Sequence, residues 1–192
     1  TALVVTAELT DRFLSYDIQS VRDLYMKSAG LTIGNAAACV LMRAEPWRRG
    51  SVRLLGITTH SSPGHWHLCQ APIDGTFYSS SVELMRLGKL IPALLARDLE
   101  AVGWKPTDVD HFVFHQPSEV MVRRILEDLG ADPARAVYAH PLYGNNASAS
   151  VGVAFNLLLE ERGVKPGDKL VLGSAAAGFS VVVATGERVA ET

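Results

Sequence analysis

Apolar and polar positions change their period along this chain. Ala2 to Ala7 is apolar and β-prone, Gly34 to Leu41 is a small-residue run that turns apolar, and Val52 to Thr58 is a third such run. They predict three strands joined by polar connections. Pro46 and Gly50 mark the connection Arg43–Gly50, whose arginines read as a solvated turn rather than a phosphate site. Residues 61–80 are rich in Ser, Pro, Gly and His and predict a long loop. The period then becomes helical. Val82, Met85, Leu90, Ile91, Leu94, Leu95, Leu99 and Val102 predict a helix stopped by Gly103, with Pro92 kinking it or marking its true start.

Beyond Gly103, strands and helices alternate. His111–His115 predicts a short strand, and Met121, Val122, Ile125, Leu126 and Leu129 predict a helix ended by Gly130. Ala136–Ala139 predicts another strand. Val151, Ala154, Phe155, Leu158 and Leu159 predict a helix ended by Gly163. Lys169–Gly173 and Ser180–Ala184 predict two closing strands, near enough in sequence to pair as a hairpin around a small-residue turn. The order α-β-α-β-α-β-β predicts an α/β fold with a largely parallel sheet and helices packed on it.

Composition narrows the function classes. Of 192 residues, 48% are hydrophobic and 20% charged, as in an ordinary globular domain, and the formal net charge of -2 supplies no domain-wide basic field for nucleic acid or anionic membrane. With two cysteines, Cys39 and Cys69, a disulfide framework is not expected. No run reaches membrane-span length and no charged-then-apolar leader opens the chain, so the expected location is the cytoplasm. Thr1 opens directly into a β-like run. An N-terminal threonine can act as a nucleophile, but a segment that starts after an upstream piece is the better reading.

Three runs can carry chemistry. His115 follows the apolar run Phe112-Val113-Phe114, with Ser118 placed to start the next helix. It therefore sits at a strand-to-helix corner, where ligand groups of open α/β sheets gather. A satisfied structural histidine is the equal alternative. Tyr143-Gly144-Asn145-Asn146-Ala147-Ser148 falls between a strand and a helix, and its small residues allow close approach of a ligand. Taken alone, that run is better explained as a capped tight turn. Gly173–Ser180 could expose backbone N–H groups to an oxyanion, or could be a closely packed hairpin. His60, His65, His67 and Cys69 contain metal-ligand types but match no standard spacing, so no metal site is expected.

In this order, on α/β elements, the three runs resemble the thiolase superfamily and, within it, ketoacyl-acyl-carrier-protein synthase III. The family's His-Gln-Ala-Asn is matched by His115-Gln116-Pro117-Ser118, and its Gly-Asn-Thr-Ser-Ala-Ala-Ser by Gly144-Asn145-Asn146-Ala147-Ser148-Ala149-Ser150. Val164, Pro166, Gly167, Leu172 and Phe179 fit its closing strands, and Ala2-Leu3-Val4-Val5 resembles the strand that follows its nucleophile helix. The resemblance covers nearly the whole chain and is weak over residues 61–80.

The resemblance implies a thiolase-type layered α/β fold, seen as the C-terminal half plus the last strands of the N-terminal half. Residues 1–80 would close the N-terminal half and include its variable loop, and 81–192 would form the C-terminal half. It implies a condensing enzyme in which an acyl group is held on a Cys and a malonyl thioester decarboxylates to attack it. His115 and Asn145 match the pair that binds the malonyl thioester carbonyl, with Gly144 lining the substrate site. The backbone N–H of Ala177 matches the oxyanion-hole donor, and Arg12 falls where the family places a CoA-contacting arginine. No cofactor is implied.

The departures are specific. The family's nucleophile lies upstream of the first strand, and neither Cys39 nor Cys69 stands in for it. The expected partners are therefore an N-terminal piece carrying the Cys, acyl-CoA and acyl carrier protein, and a second copy in a homodimer. The family's Gly-Asp-Gly-Ala-Gly-Ala reads Thr32-Ile33-Gly34-Asn35-Ala36-Ala37, and a basic carrier-docking residue is replaced by Val120. The alternatives are an acyltransferase of the same fold and a non-catalytic pseudo-subunit of a heteromeric ketosynthase.

Overall fold

The computed structural model describes residues 1–45, 51–73 and 75–190, with Arg12 described only by its backbone. The arginine-bearing turn before Gly50 thus lies mostly outside the described residues. Two strands come first, β1 (Ala2–Glu8) and β2 (Ala36–Met42), paired antiparallel with Ala2 opposite Met42. The short helix α1 (Val21–Lys27) lies between them, its N-terminus capped by the Ser20 hydroxyl accepting from Asp23 N–H.

β3 (Val52–His65) is longer than expected. Its second half falls in the stretch predicted to be loop, and it pairs with the closing strand down to Ser61 opposite Ser180, shifts register, and pairs again at His65. Pro63 and Gly64 fit there because β3 lies at the edge of the described sheet, where a missing N–H and a bulge are tolerated. The short pair β4 (Cys69–Gln70) and β5 (Tyr78–Ser79) completes this stretch.

The predicted long helix is two helices, α2 (Ser81–Gly88) and α3 (Ile91–Ala101). Pro92 sits in the first turn of α3, where its missing N–H costs nothing. β6 (His111–Phe114) leads into α4 (Glu119–Leu129), which ends at Gly130 with a left-handed φ of 77°. α5 (His140–Tyr143), α6 (Ser150–Leu157) with a π-helical extension over Leu158–Arg162, β7 (Lys169–Ala176) and β8 (Gly178–Arg188) follow.

Among the described residues the main sheet has the order β3-β8-β7-β6, with β6 and β7 parallel and the other two pairs antiparallel. The expectation of a largely parallel sheet is corrected on this point, because residues 136–139 form no strand. Ala136 makes a single parallel bridge to Phe112. Gln116, 1% exposed, takes the groups a strand would have used. Its Nε2 donates to the Val137 carbonyl, and its Oε1 accepts from Ala139 N–H at 2.8 Å and His140 N–H at 3.0 Å. Two buried backbone groups and one partly buried one thus depend on one side chain, and each buried one costs about 1–3 kcal/mol if left unsatisfied.

Two apolar clusters flank this sheet in layers. One joins α3 and α4 to it through Leu95, Leu99, Val122, Leu126, Phe112 and Val183; the other joins α6 through Val113, Ala154, Leu158 and Leu170. Asp98 is buried on α3 and accepts from Thr58 Oγ1 at 2.6 Å, with His60 Nε2 at 2.9 Å, which ties α3 to β3.

Candidate functional site

His115 is set by the end of β6. Its backbone N–H donates to the Gly173 carbonyl at 2.8 Å, continuing the parallel pairing, and its Nδ1–H donates to the Ala175 carbonyl at 2.8 Å. Gly173 is required beside it, since a Cβ there would lie 2.8 Å from the Phe114 ring. The Ser118 hydroxyl caps α4 by accepting from Met121 N–H at 3.2 Å, so the chain turns away directly after the histidine.

Asn145 arrives on a loop stitched to the segment before β2. Its N–H donates to the Thr32 carbonyl at 2.7 Å, and its carbonyl accepts from Gly34 N–H at 3.0 Å. The two chains run so close that a Cβ on Gly34 would lie 2.1 Å from the Tyr143 carbonyl oxygen, and one on Gly144 2.4 Å from that of Thr32. Gly144 also has a φ of 71°. The buried Asn146 locks the crossing from within by donating to the Gly34 and Tyr143 carbonyls at 3.2 and 2.9 Å.

These two loops bring the side chains together. His115 Nε2 lies 3.0 Å from Asn145 Oδ1, which also accepts from Ala147 N–H at 3.0 Å. A neutral ring with its proton on Nδ1 has only a lone pair at Nε2. The contact is satisfied when Nε2 also carries a proton, because Asn145 Oδ1 is held as an acceptor by Ala147 N–H. In that arrangement the amide NH2 of Asn145 is left for a ligand oxygen.

His115, Asn145 and Ala177 line one cavity of about 160 Å³. Its remaining wall is mostly apolar, with Leu95, Met121, Ile125 and Phe179 among the residues that form it. Ala177 alone separates β7 from β8, so the small residues 173–176 are strand rather than turn. The arrangement offers hydrogen-bond donors at one point of an apolar chamber, which suits a carbonyl oxygen carried by a hydrophobic thioester.

The C-terminal part of this chain, residues 99–186, matches the family model for 3-oxoacyl-[acyl-carrier-protein] synthase III, C-terminal. An acyl-CoA:acyl-CoA alkyltransferase of Xanthomonas campestris pv. campestris is 26% identical over 184 residues, which is 96% of this chain and 54% of that protein. A 2-heptyl-4(1H)-quinolone synthase subunit of Pseudomonas aeruginosa is 27% identical, covering 84% of this chain and 50% of that protein. The crystal structure of an OleA variant from Xanthomonas campestris superposes with a TM-score of 0.87 at 25% identity, covering 97% of this chain and 56% of that one. The chain is similar to the C-terminal portion of ketoacyl-synthase-III-like domains and shares their thiolase-type fold. The chain spans about half the length of the curated relatives it matches.

Other expected positions of this synthase-III-like portion fall as follows. The backbone of Arg12 lies in a single turn over Asp11–Phe13, and its side chain is outside the described residues. The turn is braced by Asn35, whose Oδ1 accepts from Thr10 N–H at 2.8 Å and whose Nδ2 donates to Asp11 Oδ1 at 2.8 Å. Cys69 lines the same cavity as His115, and burial pushes its thiol pKa up, away from the thiolate a nucleophile needs. Cys39 lies on β2. His60 is engaged by Asp98, and among the described residues no group of three or more His, Cys, Asp or Glu is placed to hold a metal. No helix among them is long and apolar enough to cross a membrane. Gln116, Asn146 and Gly34 lie in the same motifs, and no local sequence signal gives them a role. Their contribution is to set the loops on which His115 and Asn145 stand.

Proposed function

We propose that this chain supplies the His–Asn half of a Cys–His–Asn site in an acyl-thioester condensing enzyme, with the nucleophilic Cys on an N-terminal piece. The observation that carries the reading is the convergence of His115 and Asn145, 3.0 Å apart, on one apolar cavity that Ala177 also lines. The acyl group arrives as a CoA thioester; the Cys thiolate attacks its carbonyl, the tetrahedral oxyanion is bound by backbone N–H groups including Ala177, and the bond to CoA breaks so that CoA leaves as its thiol and the acyl group stays on the Cys. A malonyl thioester, on CoA or acyl carrier protein, then places its carbonyl oxygen against His115 and Asn145. The malonyl carboxylate leaves as carbon dioxide, and the electron pair of the broken bond moves onto the thioester carbonyl as an enolate. The enolate carbon attacks the acyl carbonyl, forming the carbon–carbon bond and releasing the Cys thiolate. His115 and Asn145 act because charge grows on the oxygen they bind. The resemblance assigns the CoA contact to Arg12, and Gly144 lets its loop pass close to the Thr32 carbonyl so that Asn145 reaches the cavity. The assembled enzyme works as a cytoplasmic homodimer.

A second reading is acyl transfer without loss of carbon dioxide. The likeness to an acyl-CoA:acyl-CoA alkyltransferase, whose name includes no malonyl unit, favours it. A non-catalytic role within a heteromeric synthase is the third reading, suggested by the relative described as a synthase subunit. Carbon dioxide release from malonyl thioester by the assembled enzyme separates them. Condensation predicts one carbon dioxide per product. Product without carbon dioxide supports transfer, and no product with any acyl-CoA tried supports the non-catalytic role.

A further inference from the structure

The loop that carries Asn145 holds a backbone conformation it would not keep by itself. Ala147 has a φ of 42°, a left-handed value that residues other than glycine hold where their surroundings fix it. Two consecutive amides point to different acceptors from this turn. Ala147 N–H donates to Asn145 Oδ1 at 3.0 Å, and Ser148 N–H donates to Glu8 Oε1 at 3.0 Å. Glu8 ends β1 and stands 140 positions from Ser148 in sequence. The other ties between this loop and the segment before β2 use backbone groups of Thr32 and Gly34.

We infer that Glu8 is a positioning residue for Asn145. Its carboxylate holds Ser148 N–H and so keeps Ala147 in its left-handed turn. Ala147 N–H then stays on Asn145 Oδ1, which fixes one side of the amide and leaves its nitrogen for the substrate oxygen. Without the Glu8 acceptor, Ala147 relaxes to negative φ, its N–H leaves Oδ1, and the Asn145 amide is free to rotate. The catalytic consequence rests on the reading of Asn145 as a donor to the malonyl thioester; the positioning itself does not.

The test uses the assembled enzyme with malonyl-CoA and four variants: Glu8→Ala, Glu8→Gln, the double variant Glu8→Ala with Ala147→Gly, and Asn145→Ala. Glu8→Ala should lower carbon dioxide release by up to about a hundred-fold, the cost of misplacing a group from a distance, with acyl loading unchanged. Glu8→Gln keeps a carbonyl acceptor and should retain most of the rate. Ala147→Gly should restore most of the rate to Glu8→Ala, because glycine adopts the left-handed turn without support. Amide hydrogen exchange at position 147 reads the positioning directly and should speed up in Glu8→Ala but not in Glu8→Gln. Unchanged exchange in Glu8→Ala, or a double variant as slow as Glu8→Ala alone, would overturn the inference. Should Asn145→Ala release carbon dioxide at the normal rate, the catalytic reading of Asn145 fails, while the exchange result still decides the role of Glu8.

Discussion

Changing Asn145→Ala in the assembled enzyme is expected to slow decarboxylation of malonyl thioester by about a hundred- to a thousand-fold, the usual cost of removing one donor to a developing oxyanion. Acyl loading should survive largely intact, because the proposed site holds its oxyanion by backbone N–H groups rather than by this amide. Asn145 has no titratable proton, so hydrogen bonding and positioning are the roles open to it. The two are separable. Asn145 Oδ1 accepts from Ala147 N–H, so the alanine variant also loosens the loop. Asn145→Asp keeps that acceptor while losing the NH2 donor, and should slow decarboxylation as much as alanine does. Mass shift of the loaded Cys and carbon dioxide release follow the two steps independently. Equal loss of both would make Asn145 structural, and undiminished carbon dioxide release would remove it from the mechanism.

The 192 residues alone are expected to lack a single cooperative unfolding transition. β1 and β2 form a two-stranded sheet, which is marginal in water without further strands or a covering layer. Leu3, Val4, Val5, Val40, Leu41 and Met42 are 40–62% exposed on it, although they are apolar and β-prone. Covering them would contribute about 1 kcal/mol each, a sum comparable to the whole stability of a small domain. The C-terminal sheet, by contrast, has Phe112, Leu126, Leu158 and Leu170 fully enclosed. Hydrogen exchange should therefore show fast exchange in β1 and β2 beside protected amides in β6 and β7. Adding the N-terminal piece should protect the first two strands. A monomeric 192-residue chain that unfolds in one cooperative step with uniform protection would contradict this.

Local signals in the sequence are enough to place His115 at a strand-to-helix corner. The apolar run ending at Phe114 and the capping serine at 118 put His115 at the mouth of the sheet, and both features are present. Gly103, Gly130 and Gly163 stop helical segments where their left-handed backbone is needed. The expectation failed where a side chain replaced a backbone ladder. Ala136–Ala139 has the composition of a strand, but Gln116 claims its polar groups, and the run carries no trace of that competition. Pro63 and Gly64 have loop chemistry yet lie on an edge strand, because edge position is a property of the assembled sheet. The bond from Ser148 to Glu8 and the crossing of Gly34 with Tyr143 are equally tertiary. They join residues too far apart for any periodicity to register.

The central claim, that this chain completes a site whose nucleophile lies elsewhere, is most directly tested by mapping the acyl group after loading. The assembled enzyme is incubated with acyl-CoA, digested, and read by mass spectrometry. The account predicts the acyl mass on a Cys of the N-terminal piece, with Cys39 and Cys69 unmodified. Stoichiometric acylation of Cys69, which lines the cavity with His115, or loading of this chain without its partner, would contradict it.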